Sequence, residues 1–237
     1  PLDRAAGRRG LRIGAPLSLT DRYAAFVREN TVAAQAPLVP EITLHLASEV
    51  TPLWHATEEV LAQNGLPPPY WAFAWPGGQT FARLLLDRPE LARGRTVLDF
   101  AAGCGIAAIA AVKSGARRVT ASEIDLFATA AIRLNTALNH ASVDIMDSDL
   151  LGAPPAVWDL ILAGDVCYEK PMADRTLAWL DRAVALGADV LIADPGRAYL
   201  PRNGLTEIAR YDVPTSLDLE NRKIMTTVIY RYTGSNA

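Results

Sequence analysis

The sequence predicts an α/β protein, a mostly parallel seven-stranded sheet with a C-terminal antiparallel pair and a helical and strand extension ahead of it. Three observations predict it. From "TVLDF" to "DVLIA", short apolar runs alternate with stretches of helical periodicity, the pattern of parallel strands covered by helices on both faces. A glycine turn, Gly103-Cys104-Gly105, stands between the first of those runs and the first of those helical stretches. Beyond them, "ARYDVP" and "KIMTTVIYRYT" have no helix between them long enough for a parallel crossover, so they are expected to pair antiparallel.

The opening "PLDRAAGRRGLRIGAPL" sets four arginines around Asp3 and reads as a solvated tail rather than a trimmed transit sequence. Thr20 to Ala36 has apolar residues at helical spacing behind a Thr or Asp cap, and Pro37 with Pro40 is expected to end that helix. In "EITLHLAS", Ile42, Leu44 and Leu46 alternate with Thr43 and His45, the period of a half-buried strand. Thr51 as cap, Pro52 as first helical residue and Gly65 as stop predict a second helix. Pro67-Pro68-Pro69 is a stiff linker, so residues 1–69 are expected as an extension packed on a main domain of residues 70–237. "TVLDF", "RVTAS", "VDIM", "DLILAG" and "DVLIA" are the parallel strands. Helices are expected from Cys104 to Ser114, Leu126 to Asn139 and Met172 to Leu186, the first and last stopped by Gly115 and Gly187.

A chain of 237 residues, 50% hydrophobic and 21% charged, has the composition of a globular domain. Its net charge of −3 carries no basic footprint for phosphate backbones, which disfavours nucleic acid as a partner. No apolar run approaches the ~20 residues of a membrane helix. Two cysteines, Cys104 and Cys167, lack the spacing of a zinc site or disulfide framework and point to a reducing compartment: the cytoplasm, or the mitochondrial matrix of a eukaryote. His45, His55 and His140 are scattered, so no metal is expected. A monomer is expected.

The glycine turn decides the ligand. Gly103 to Ala108 fits the dinucleotide fingerprint G-x-G-x-x-G/A. In that fingerprint the first glycine follows the strand almost at once, whereas here Phe100-Ala101-Ala102 separate Gly103 from Asp99. No lysine or arginine stands in the turn to meet a phosphate. Glu123, eighteen residues past Gly105, is placed to accept hydrogen bonds from two ribose hydroxyls, and Asp125 to cap the next helix. Asp149, or Asp147, lies past the third strand.

The D-x-x-x-G-x-G spacing resembles the nucleotide loop of class I S-adenosylmethionine-dependent methyltransferases, in which an acid after the third strand often meets adenine. Asp165-Val166-Cys167-Tyr168 is a D-x-x-Y element, the mark of the protein lysine methyltransferases of that class. Trp75-Pro76-Gly77-Gly78-Gln79 and Asp194-Pro195-Gly196-Arg197 resemble two further segments of the same subgroup. Together, over roughly Asn30 to Thr233, they most resemble the family of lysine methyltransferases acting on the electron transfer flavoprotein β-subunit. The resemblance implies a Rossmann-like class I fold, S-adenosyl-L-methionine as cofactor and that protein as substrate. It implies catalytic roles for Asp165 and Tyr168, and a cofactor site of Trp75, Gly77, Gly78, Asp99, Ala101, Gly103, Gly105, Glu123, Ile124, Asp149 and Gly164.

In such a site Asp165 is expected to orient a substrate ammonium rather than act as a strong base, since its charge favours the protonated amine. Tyr168, with Trp75 or Trp71, is expected to wall the pocket and stabilise methylated ammonium through cation–π attraction. Cys104 and Cys167 follow neighbouring strands, which puts their thiols near the cofactor. Three other readings compete: methylation of another protein such as a ribosomal protein, a methyltransferase-like binding module without turnover, and a nicotinamide-dependent dehydrogenase. Intact Asp165 and Tyr168 argue against the module, and the glycine spacing and missing relay histidine against the dehydrogenase.

Overall fold

A computed structural model describes residues 18–48, 53, 63, 67–156, 158–215 and 222–235. The tail and most of the helix expected from Thr51 to Gly65 lie outside them; Leu53 and Gln63 are helical. Helix α1, Leu19–Asn30, is capped by Ser18, whose Oγ accepts the Asp21 N–H. It stops well short of Ala36, which corrects the helix expected there. Asn30 donates to the Phe26 carbonyl and Thr31 Oγ1 to the Val27 carbonyl, consuming the acceptors of the last turn, and Thr31 turns extended. "VAAQA" then forms β1, Val32–Ala36, antiparallel to β2, Val39–Leu46. Its alanines satisfy helical and strand periods alike, and the partner strand decides.

The proline linker leads into a short 3-10 turn, Tyr70–Ala72, and then helix α2, Pro76–Asp87, which periodicity alone had not revealed. Pro76 is its first residue after an extended Trp75, the position that tolerates proline because no intrahelical N–H is lost. Strands β3 (Thr96–Phe100), β4 (Arg118–Ser122), β5 (Asp144–Met146), β6 (Leu160–Gly164) and β7 (Asp189–Asp194) are parallel. Helices α3 (Ile106–Lys113), α4 (Leu126–Leu138) and α5 (Lys170–Ala185) connect them. Strand β9, Ile224–Tyr232, inserts antiparallel between β7 and the edge strand β8, Leu205–Pro214, as the missing crossover requires.

The sheet order is β5-β4-β3-β6-β7-β9-β8. From β3 the chain works outward through β4 and β5, then returns to β6 on the other flank. This reversal opens a crevice at the carboxyl ends of β3 and β6, the place where open α/β sheets bind ligands. One sheet face packs Leu84, Ile109 and Leu162 with Val39, Ile42 and Leu44 of the hairpin. The other packs Trp158 and Leu180 around Trp179, whose ring stacks 5.7 Å from Phe100. The hairpin is also clamped from α4: Asn135 Oδ1 accepts the His45 N–H, and Asn139 exchanges two hydrogen bonds with the Thr43 backbone. His45 is held there beside Thr31, its pKa lowered by burial.

Candidate active site

A cavity of about 520 Å³ fills the crevice. On one side stands the turn between β3 and α3. Asp99 is buried at the end of β3 and its Oδ2 accepts the Ala108 N–H at 2.9 Å, closing the first turn of α3; burial pushes its pKa up to about 8. Gly103 and Gly105 have φ of 53° and 76°, left-handed conformations that glycine adopts without strain. A Cβ on Gly105 would sit 3.2 Å from Ile132 of α4, whereas one on Gly103 would meet nothing within 4 Å, so the Gly103 backbone stands open. Glu123 clamps the arrangement: its Oε2 accepts the Gly103 N–H (3.0 Å), and its Oε1 accepts those of Ile124 (2.9 Å) and Asp125 (3.3 Å). Burial raises the pKa of this carboxyl too. Asp125 caps α4 by accepting the Phe127 N–H, as expected.

On the other side stand the ends of β6 and β7 and the start of α2. Asp165 has a φ of 53°, rare for a residue with a side chain, and is held there from several directions. Its own N–H donates to the Ala193 carbonyl, and its Oδ2 accepts the Gly77 N–H at 2.6 Å, so the helix N-terminus faces a carboxylate. The Arg197 guanidinium lies 3.8 Å from its Oδ1. Arg197 comes from the loop after β7, which Asp194 folds by accepting the N–H groups of Gly196 and Arg197. Gly77 permits the close approach: a Cβ there would fall 2.5 Å from Asp165 Oδ2 and 2.9 Å from the Ala193 carbonyl. At Gly164 a Cβ would lie 3.2 Å from the Gly77 carbonyl carbon.

Aromatic rings rim this side. Tyr168 and Tyr70 stand 5.8 Å apart, Tyr70 and Trp75 5.9 Å, and Trp75 and Phe73 6.0 Å, with the Trp75 indole N–H donating to the Tyr70 carbonyl. Tyr70 and Tyr168 are exposed. Trp71 also reaches the cavity, but it is buried and stacked on Phe127.

The cavity thus brings together Trp75, Gly78, Asp99, Ala101, Gly103, Glu123, Ile124, Gly164, Asp165 and Tyr168 among the residues singled out from sequence. Gly77 and Gly105 stand behind it as backbone supports. Asp149 is not brought in: its carboxylate accepts the Leu151 N–H and pairs with Arg175 at 2.8 Å, at an exposed position. The two thiols part company, because Cys104 lines the cavity while Cys167 is fully buried away from it. Burial pushes both to about 12, so both stay protonated at neutral pH. Sequence reasoning missed Tyr70 and Phe73, for which the aromatic density of "YWAFAW" was the available signal.

Comparison with known proteins covers nearly this whole architecture. The electron transfer flavoprotein beta subunit lysine methyltransferase of Danio rerio is 39% identical over 214 residues, 87% of this chain and 82% of its own. That of Homo sapiens is 36% identical over 226 residues, 92% and 85% of the respective lengths. The chain belongs to this lysine methyltransferase family. The family described as ribosomal protein L11 methyltransferase (PrmA) matches residues 84–164, from within α2 to the end of β6, and stops just before Asp165. In fold, the chain is similar to a provisionally assigned RNA methyltransferase from Pyrococcus horikoshii, with a TM-score of 0.52 at 14% identity over 92% of this chain and 98% of that one. The Rossmann-like class I methyltransferase fold expected from the sequence is the one observed. Among the described residues, no helix is long and apolar enough to cross a membrane.

Proposed function

We propose that this enzyme transfers methyl groups from S-adenosyl-L-methionine to lysine side chains of the electron transfer flavoprotein β-subunit. The observation that carries the reading is Asp165, held at the cavity by the Gly77 N–H, with Tyr168 lining the same cavity and a glycine turn that opens onto it. The turn suits a nucleoside without phosphates. Its open edge at Gly103 admits a ligand against backbone, Glu123 offers carboxylate acceptors for a ribose, and among the described residues no cation lines that side. Trp75, Gly77, Gly78, Asp99, Ala101, Gly105, Ile124 and Gly164 complete the donor site as walls or supports. Asp149, engaged with Arg175, is left out of it.

When bound, the donor supplies a sulfonium methyl group, whose carbon bonds to the lysine nitrogen as the carbon–sulfur bond breaks and its electron pair returns to sulfur. The chain's own residues do the rest by placement, which is worth up to ~7–11 kcal/mol in well-oriented reactions. A lysine with a pKa near ~10.4 arrives as an ammonium and must lose a proton to water before it attacks. Asp165 binds and orients that nitrogen. Tyr168, Tyr70 and Trp75 exclude water and face the amine with ring surfaces, stabilising methylated ammonium by ~0.5–2 kcal/mol per contact.

The enzyme acts as a monomer in a reducing compartment, the cytoplasm or, in a eukaryote, the mitochondrial matrix, without nucleic acid or membrane. Methylation of a ribosomal protein is less favoured, because the relatives that match most of the chain are named for the electron transfer flavoprotein beta subunit, whereas the L11 methyltransferase family model matches only residues 84–164. The test is to incubate the chain with labelled S-adenosylmethionine and purified β-subunit, alongside a homologous extract. Label on the β-subunit, lost in Asp165→Ala, supports the reading; label confined to another band rejects it.

A further inference from the structure

The site as described leaves a difficulty. Asp165 orients the substrate nitrogen, yet a carboxylate beside an ammonium makes its proton harder to lose. None of the acids, phenols and thiols around the cavity supplies a positive charge to counter this. Asp99, Glu123 and Asp125 line the side toward β3 and β4, Tyr70 and Tyr168 rim the other, and the Cys104 thiol is held neutral by burial. Asp194 lies behind the loop at the end of β7. Among the described residues lining the cavity, Arg197 is the one cation. It approaches the Asp165 oxygen opposite the one that accepts the Gly77 N–H.

We propose that Arg197 is a positioning residue that offsets the charge of Asp165, so that the bound lysine ammonium gives up its proton to water at near-neutral pH. The proposal rests on the methyl-transfer reading above. Two physical effects join in it. The guanidinium and the Gly77 N–H share the carboxylate between them, which fixes its direction and draws its charge away from the substrate side. The guanidinium also adds a positive charge to the same cavity, and a cation near an ammonium favours the neutral amine. With side chains only 25% and 14% exposed, Arg197 and Asp165 are partly shielded from the screening that erases surface pairs. The proton leaves to water, the nitrogen lone pair becomes free, and the methyl transfer then proceeds as written above.

The test is a pH profile of kcat between roughly pH 6.5 and 10 at saturating S-adenosylmethionine, with intact β-subunit as substrate, for the wild-type chain, R197Q and R197K. Binding of S-adenosylmethionine is measured by calorimetry on each. The expected result is that R197Q moves the rising limb upward by about one pH unit. That is an about tenfold loss at neutral pH, recovered at high pH, since one unit changes the neutral fraction tenfold. R197K, which keeps the charge, holds the wild-type midpoint whatever its absolute rate, and R197M serves as the charge-free variant where R197Q does not fold. A constant loss at every pH in R197Q, a shifted midpoint in R197K, or an effect confined to donor affinity overturns the proposal alone. A wild-type chain that leaves the β-subunit unlabelled overturns it together with the reading beneath it.

Discussion

On the nucleoside side of the cavity, Asp99 bonds to Ala108 nine residues away and Glu123 to Gly103 twenty away, whereas on the acceptor side Gly77 and Asp165 bond across 88 residues. The first side is one β-α-β passage whose backbone shape the local sequence nearly dictates. The second is assembled from three chain segments, α2, the end of β6 and the loop after β7, which meet only when the sheet is complete. On the roles proposed above, a site built this way separates holding the donor from aligning the acceptor. The match to the L11 methyltransferase family spans the first side and ends at the second.

The largest effect expected is from Gly77→Ala, which breaks the acceptor side alone. The new Cβ collides with the Asp165 carboxylate and with the Ala193 carbonyl, and the backbone contact cannot yield by a side-chain rotation. If Asp165 aligns the nucleophile as proposed, displacing it by about an ångström costs about 100-fold in turnover. Single-turnover methylation of the β-subunit measures this, and calorimetry with S-adenosylmethionine should show that most donor affinity survives. Loss of both together would mean that the two sides are not separable.

Glu123→Ala is the complementary break. It removes the acceptor of three backbone N–H groups and the carboxylate proposed to meet the ribose, and hydrogen bonds to charged groups contribute ~1.5–3 kcal/mol. Donor Kd should rise by about 10- to 100-fold, while saturating donor restores most of the turnover. Asp99 gives this side a pH signature. Its carboxyl titrates at about 8 in the fold against an ordinary 3.8, so the folded state holds a proton that the unfolded chain releases. Stability from this group is full at low pH and declines as pH rises from about 3.8 to 8. Thermal melts of Asp99→Asn should lose that slope. A cationic donor favours the ionised carboxyl, so its binding at pH 7 should release protons, readable from the buffer dependence of the calorimetric heat.

A smaller effect is expected at Tyr168. Tyr168→Phe keeps the ring and should leave the rate within about threefold, whereas Tyr168→Leu removes a cation–π contact of ~0.5–2 kcal/mol. Because a methylated nitrogen depends on ring faces more than a bare amine does, Tyr168→Leu should shift products toward lower methylation, read by mass spectrometry of the β-subunit. An unchanged product distribution would remove the aromatic rim from the alignment side of the comparison.

The two sides also differ in how far the sequence discloses them. Asp99, Gly103, Gly105 and Glu123 announce themselves because each answers a local backbone demand: a helix to cap, a left-handed turn, a strand end. The parallel strands were legible for the same reason, being short apolar runs between glycine stops. Aromatic density marks "PPYWAF", but neither the ring pairing of Tyr70 with Tyr168 nor the pairing of Arg197 with Asp165 was legible, since nothing local there or in "DPGRAY" says which strand end will face them. Helix α2 was hidden by the two glycines at its start, which weaken helical propensity where the close approach to Asp165 needs them. The helix expected through Ala36 failed because alanine fits both periods, and only the hairpin partner chooses between them.

Asp149 is where the local reading and the assembled structure diverge most directly, and the smallest expected effect tests it. As the third-strand acid of the nucleotide fold it was expected at the adenine. It instead accepts the Leu151 N–H and pairs with Arg175 of α5, whose cation holds its carboxyl below the usual range. Both partners of that pair are exposed, so the ion pair itself is worth ~0–1 kcal/mol, falling with added salt. Asp149→Asn keeps an oxygen for the Leu151 N–H and gives up only the charge. Donor Kd should therefore stay within about twofold of wild type, and the melting temperature should change little. A tenfold loss of S-adenosylmethionine affinity in Asp149→Asn would mean that Arg175 releases this carboxylate when the donor binds. The nucleoside side would then also depend on a contact made across the sheet, from α5, and the contrast between its two halves would shrink to one of degree.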